Sequence, residues 1–185
     1  MAQEFGAKKY EKLRDVIGNA GVLSLLFSLL LTGAGQLAAR PVLLLLQTPE
    51  TILPDTLLYL RMMFLGVPVV MAYNLLACIL RSLGDGKTPL HAMVVASFTN
   101  IALDLLFVLV FCWGIAGAAA ATLIAQLISG LYCVYHIRKI KILRMVPNNF
   151  RLNARLVPRL LLLGAPMAFQ NCIIAVGGMI LQFII

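Results

Sequence analysis

This sequence predicts an all-α fold, a bundle of membrane-spanning helices, and three observations predict it. Apolar residues make up 62% of the 185-residue chain and charged residues 12%, against roughly 25% charged in an ordinary soluble domain. The charges lie between long uncharged runs, and those runs reach the length of about 20 residues that crosses a bilayer. Finally, 13 of the 15 Lys and Arg fall in alternate connecting segments: four in residues 1–15, two in 81–88 and seven in 136–159. Basic residues favour the cytoplasmic face, so these three segments are expected to be cytoplasmic in a multi-pass plasma-membrane protein. Arg40 and Arg61 alone fall on the other side.

The chain opens on a polar stretch of mixed charge, MAQEFGAKKYEKLRD. The apolar run at 16–39 is too long for a signal-peptide core of roughly 7–15 residues and is expected to be the first span. Its Ser24, Ser28, Thr32 and Gln36 recur every four residues, so they line one helix face. A helix surrounded by lipid would not need that stripe, which therefore faces other helices or water. Arg40-Pro41 is expected to break the helix. The second span is expected over 57–80, with Arg61 near enough to its end to snorkel to the interface. Pro68, at its centre, removes a backbone bond and is an expected bending point.

Residues 81–88, RSLGDGKT, form a tight turn. Gly86-Lys87-Thr88 resembles the end of a phosphate-binding loop, but Arg81 stands where that motif needs glycine. Gly84-Asp85 is likewise no intramembrane protease motif, since Ser82 replaces the required glycine; Asp85 reads as a turn residue. The third span is expected over 89–112 and the fourth over 115–135. Small residues at Gly114, Gly117, Ala118 and Ala121 let a neighbouring backbone approach. Thr122, Gln126 and Ser129 share one face of the fourth span. A basic loop follows, in which Arg138, Lys139, Lys141 and Arg144 serve orientation and head-group contact. The fifth span, 160–185, contains Pro166, the second expected bending point.

The net charge of +8 does not indicate a nucleic-acid partner, because the basic residues do not converge on one groove with aromatics for stacking. Cys78, Cys112, Cys133 and Cys172 are scattered one to a segment and read as packing residues. His91 and His136 are assigned no chemistry. With no Ser/His/Asp set, paired carboxylates or metal-spaced histidines at one depth, the chain is not read as an enzyme, and no cofactor or metal site is expected.

The chemistry centres on the third span. Asp104 is an ionisable carboxyl inside a segment long enough to cross a bilayer, which is costly and marks function by default. It lies nine residues before Trp113, about 13 Å below the outer boundary, and Thr122 lies at about 12 Å on the adjacent helix. The short connection makes those helices antiparallel neighbours, so the two groups can meet. Ser97 and Asn100 share the face of Asp104. Two structural alternatives stand beside this reading: an ion pair between Asp104 and Arg61, and Thr122 as ordinary helix-packing glue.

Five stretches carry a family likeness: QEFGAKKYEKLR at 3–14, PVLLLLQTPE at 41–50, YLRMMFLGVPVVMAYNLLACILRSLGDGKTP at 59–89, NIALDLLFVLVFCWGIAGAAAATLIAQ at 100–126 and LLLGAPMAFQ at 161–170. In this order they resemble the multidrug and toxic compound extrusion (MATE) family. The resemblance implies part of a twelve-span transporter of two six-helix lobes, which exchanges protons or sodium ions for cationic, drug-like compounds. Residues 1–144 would be the remainder of the N-lobe, 145–159 the inter-lobe loop and 160–185 the first C-lobe helix. Spans three to seven are thus present, the chain is expected to be incomplete, and the family's site aspartate on its first span falls outside it. Asn100, Asp104 and Thr122 match the remaining polar residues of the N-lobe cation site, and Asn74 is a weaker match. Ser97, Gln126 and Gln170 are candidate cavity-lining residues. The implied partners are small organic cations, the lipid bilayer and the missing helices. The rival readings are a lipid-linked saccharide flippase of similar architecture and a non-transporting membrane subunit.

Overall fold

Each long apolar run folds as a helix, because a backbone in hydrocarbon finds partners for its N–H and C=O groups only within its own turns. The computed structural model describes residues 1–46, 48–140 and 156–184. Its helices are α1 (Ala2–Gly6), α2 (Tyr10–Leu45), α3 (Leu53–Ser82), α4 (Lys87–Asp104), α5 (Gly114–Lys139) and α6 (Leu156–Ile184), and a π-helical turn, Leu105–Val110, continues α4. Among the described residues there is no strand. Five of these segments, α4 with its π turn counting as one, are long and apolar enough to cross a membrane.

The helices overrun most of the expected spans. The break expected at Arg40-Pro41 does not occur: α2 runs from Tyr10 through Pro41 to Leu45. A proline so near the helix end forfeits one backbone bond, while the turns beyond it bury Leu43. The second span extends to Leu53–Ser82 and the fourth to Gly114–Lys139. The third is helical over 87–110 rather than 89–112. Residues 145–155 of the expected inter-lobe loop lie outside the described residues, as do Lys141 and Arg144. Residues 156–159 belong to α6, which starts four residues before the expected 160.

The helices lie in the order α2, α3, α5, α4. The polar stripe of α2 faces α3. The Thr32 hydroxyl donates to the carbonyl of Phe64 at 2.9 Å, and the Gln36 amide to that of Arg61 at 2.8 Å. These pairs run in opposite directions along the chain, so α2 and α3 are antiparallel. Gly35 admits the Phe64 ring where a Cβ would collide with it, and Gly66 does the same for Leu123 between α3 and α5. On α5, Gly117 lies under Phe107, whose Cβ would be 3.0 Å from an added methyl. That is the close approach its small-residue stretch predicts.

The buried apolar core gathers at the basic end of the bundle. Leu13, Ile17 and Ile79 form one cluster, and Leu80, Ala92 and Cys133 another. Met1 and Phe5 pack on the first, so the polar N-terminal stretch folds back under the bundle. In the α3–α4 turn Gly84 takes φ +88°, a conformation glycine adopts without strain. Asp85 follows, accepting the N–H of Thr88 at 3.0 Å. Hydrogen bonds from Thr88 hold this carboxyl below the usual carboxylate range, with a smaller attraction from His136. Asp85 is thus a cap for α4, in line with its reading as a turn residue.

Candidate functional site

Asp104 is the last α-helical residue before the π turn. Beyond it the pattern widens: the N–H of Phe111 reaches back five residues to Leu106 at 3.0 Å, and that of Trp113 reaches Phe107 at 2.9 Å. Apolar and aromatic contacts hold this wide turn. Phe107, Phe111 and Trp113 form a cluster with ring centroids 5.2 to 6.0 Å apart. π-helical turns are rare, and this one, which ends α4, begins at the residue after the intramembrane carboxyl.

Within α4, Asn100 precedes Asp104 by one turn. Its side-chain amide donates to the Thr122 hydroxyl on α5 at 3.4 Å, and that hydroxyl in turn donates to the carbonyl of Ala118 at 3.0 Å. Thr122 therefore fills two roles at once, back-bonding within its helix and accepting from the next. Oδ1 of Asp104 is enclosed and has no hydrogen-bond partner. A buried carboxylate oxygen without donors carries a desolvation cost, which a cation beside it would offset. No ion pair joins Asp104 to Arg61 among the described residues. Arg61 is exposed, and only its backbone carbonyl is engaged, by Gln36.

The other candidates divide. Gln126, one turn from Thr122 on the same face of α5, is half-buried, and its Oε1 is enclosed without a partner. Asn74 is exposed and donates to the carbonyl of Val70 on its own helix at 2.9 Å, so the fold does not bring it to Asp104. Ser97 and, on α6, Gln170 are exposed. Pro68 and Pro166 lie inside continuous helices. Ser129 was not among the sequence candidates, yet it is 1% exposed and its hydroxyl has no partner. The sequence already places it on the face of Thr122 and Gln126, seven residues from Thr122; its burial is what the sequence does not show.

The apolar helices and the enclosed mid-span carboxyl define a class: a multi-pass membrane protein with ionisable chemistry inside the bundle. Residues 1–106 match the MatE family model, more than half of the chain, and the chain belongs to that family. "Probable multidrug resistance protein YpnP" of Bacillus subtilis (strain 168) is 34% identical over 187 residues, which cover 92% of this chain and 40% of the relative. "Multidrug export protein MepA" of Staphylococcus saprophyticus is 26% identical over 178 residues, covering 96% of this chain and 40% of that protein. Among solved structures, an inward-facing conformation of a multidrug resistance MATE family transporter of the MOP superfamily superposes with a TM-score of 0.83. It is 24% identical, and the match covers 89% of this chain and 38% of that one. The fold is therefore part of the MATE transporter bundle, and the chain spans about 40% of the length of the relatives it matches.

Proposed function

We propose that this chain supplies the coupling half of a cation-driven antiporter that exports cationic, drug-like compounds, with Asp104 as the group that carries the coupling proton or sodium ion. The observation that carries the reading is the enclosed, unpartnered Oδ1 of Asp104, one turn from the Asn100–Thr122 contact. Amide and hydroxyl oxygens suit a hard monovalent cation, and a carboxyl can take up either that cation or a proton. Loading and unloading bias the bundle between two arrangements, by no more than the difference in affinity between them. Pro68 and Pro166 are the bending points. The names of YpnP and MepA support drug export, and the bacterial sources of both support a bacterial plasma membrane. The basic segments 1–15, 81–88 and 136–159 face the cytoplasm, the substrates are small organic cations, and no enzymatic step or cofactor is involved. A saccharide flippase would draw on cationic side chains converging within the spans; Arg61 of α3 is exposed instead.

The test is efflux of an organic cation from vesicles containing the full-length gene product, under separate proton and sodium gradients. Asp104→Asn should lower driven efflux by at least about tenfold under one gradient. Wild-type efflux in that variant under both would end this assignment.

A further inference from the structure

The outer end of the α4–α5 hairpin carries three aromatic rings that the coupling step does not use. Phe107, Phe111 and Trp113 pack on one another, with centroids 5.2 Å apart for Phe107–Trp113, 5.5 Å for Phe111–Trp113 and 6.0 Å for Phe107–Phe111. Phe107 is half-buried, with its Cβ against Gly117, and it backs the other two rings. Phe111 and Trp113 are 50% and 55% exposed. The backbone that aims them is strained: Cys112, between the two, takes φ +54°. A non-glycine residue persists in the left-handed region only where its surroundings over-determine it, and such residues cluster at ligand clamps and other functional sites. Here the bonds from Phe111 to Leu106 and from Trp113 to Phe107 fix the turn on both sides of Cys112.

The face of an aromatic ring carries negative partial charge and attracts a cation within about 6 Å of its centre. At the basic end the chain supplies that cation itself, since Nζ of Lys139 stands 4.1 Å from the centroid of Tyr135. The outer cluster is placed differently. From Asn100 to Gln126 the sequence contains one charged side chain, Asp104, and no Lys or Arg. Arg40 and Arg61, the two basic residues expected on this side, belong to α2 and α3. The ends of α4 and α5 that meet here bear opposite partial charges and offset each other. Charge complementarity therefore comes from the π faces, with the hairpin's one acid three residues before Phe107, and it favours a cation. A cation with an apolar body gains twice, because it also covers exposed ring surface.

We propose that Phe107, Phe111 and Trp113 form an outer aromatic station, on which an apolar organic cation docks through cation–π contacts before it leaves the bundle. The station rests on the reading of the chain as part of an exporter of organic cations, and it gives that substrate a place separate from the coupling group. Phe111 and Trp113 present the open ring faces, and Phe107 holds them against α5. The strained turn at Cys112 keeps the two open rings side by side.

Trp113 is the only tryptophan of the 185 residues, which makes it a reporter. The test uses the full-length gene product with any tryptophan outside this stretch replaced by phenylalanine. Titration with tetraphenylphosphonium should change Trp113 emission saturably, whereas tetraphenylborate, an anion of the same shape, should not. In vesicles, Trp113→Leu and Phe111→Leu should each raise the tetraphenylphosphonium concentration for half-maximal efflux about fivefold, and Trp113→Phe, which keeps a π face, should stay within about twofold of wild type. If one leucine variant does not fold, the other carries the same comparison. An equal response to both ions, no response, or an unchanged half-maximal concentration in the leucine variants overturns the station. Emission quenched by brominated lipid and unmoved by tetraphenylphosphonium also overturns it, and assigns the rings to the membrane interface. The coupling assignment is read apart from this: inactive Asp104→Asn with unaltered leucine variants removes the station alone. Wild-type efflux in Asp104→Asn, with the charge-selective response of Trp113 intact, removes the coupling assignment and leaves the station standing.

Discussion

The amide of Asn100 donates to the hydroxyl of Thr122 at 3.4 Å, joining two helices through residues 22 apart in the chain. Thr122 simultaneously donates to Ala118 on its own helix, so its single proton is committed and its lone pairs face α4. The contact ties the level of α4 just before Asp104 to α5.

Replacing Thr122 by Val keeps the shape and removes the acceptor. The loss of one neutral hydrogen bond is worth about 1 kcal/mol, so folding should survive. The cation concentration needed for half-maximal efflux should rise by roughly fivefold, while Thr122→Ser should behave as wild type. An unchanged half-maximal concentration in Thr122→Val would reduce Thr122 to packing alone.

The π turn gives a second prediction. Deleting Val108, an exposed residue within Leu105–Val110, should let the segment close as a regular α-helix. The Phe107, Phe111 and Trp113 cluster would then lose its register against Gly117. Expected is a protein that still inserts into membranes but has lost most driven efflux. Normal efflux in the deletion would show that the wide turn has no part in positioning Asp104.

Asp85 offers a pH experiment outside the apolar spans. Hydrogen bonds from Thr88 depress its pKa in the folded state, so its contribution is fully present above the unfolded value of about 3.9 and is lost as pH falls through the folded value. Thermal melting of detergent-solubilised protein should show an acid limb below about pH 4 to which Asp85 contributes. Asp85→Asn should flatten that limb while keeping a side chain able to cap. Asp85→Ala should lower stability by about 1 kcal/mol at neutral pH.

Two glycines of α2 make a matched pair. A Cβ at Gly35 collides with the Phe64 ring, whereas one at Gly33 meets nothing within 4 Å. Gly35→Ala should therefore destabilise the α2–α3 contact by about 1–3 kcal/mol. Gly33→Ala should be neutral or stabilising by a few tenths of a kcal/mol, since alanine favours the helix. Melting temperatures in one detergent check both, and equal shifts would contradict the close approach at Phe64.

Much of this was open to reading in the amino-acid order alone. Length and hydropathy placed five helices, and the counted depths put Thr122 near the level of Asp104, whereas its contact on α4 is with Asn100, one turn away. Family membership was visible in stretches such as LRSLGDGKTP. These properties are local or cumulative along the chain, since the cost of exposing peptide groups to hydrocarbon acts on every residue of a span. The tertiary structure decided the rest. Pro41 stays within α2, which runs on to Leu45 and buries Leu43 beyond it, a fact no local rule contains. Asn74 and Asn100 are the same residue type in similar apolar surroundings; only packing sends one to its own Val70 carbonyl and the other across to Thr122. The π turn after Asp104 and the enclosed oxygens of Gln126 and Ser129 depend on how α5 lies against its neighbours. The covalent order sets which groups each helix can present, but satisfaction of a buried polar atom is a property of two or more helices together, and so it exists only once they are assembled.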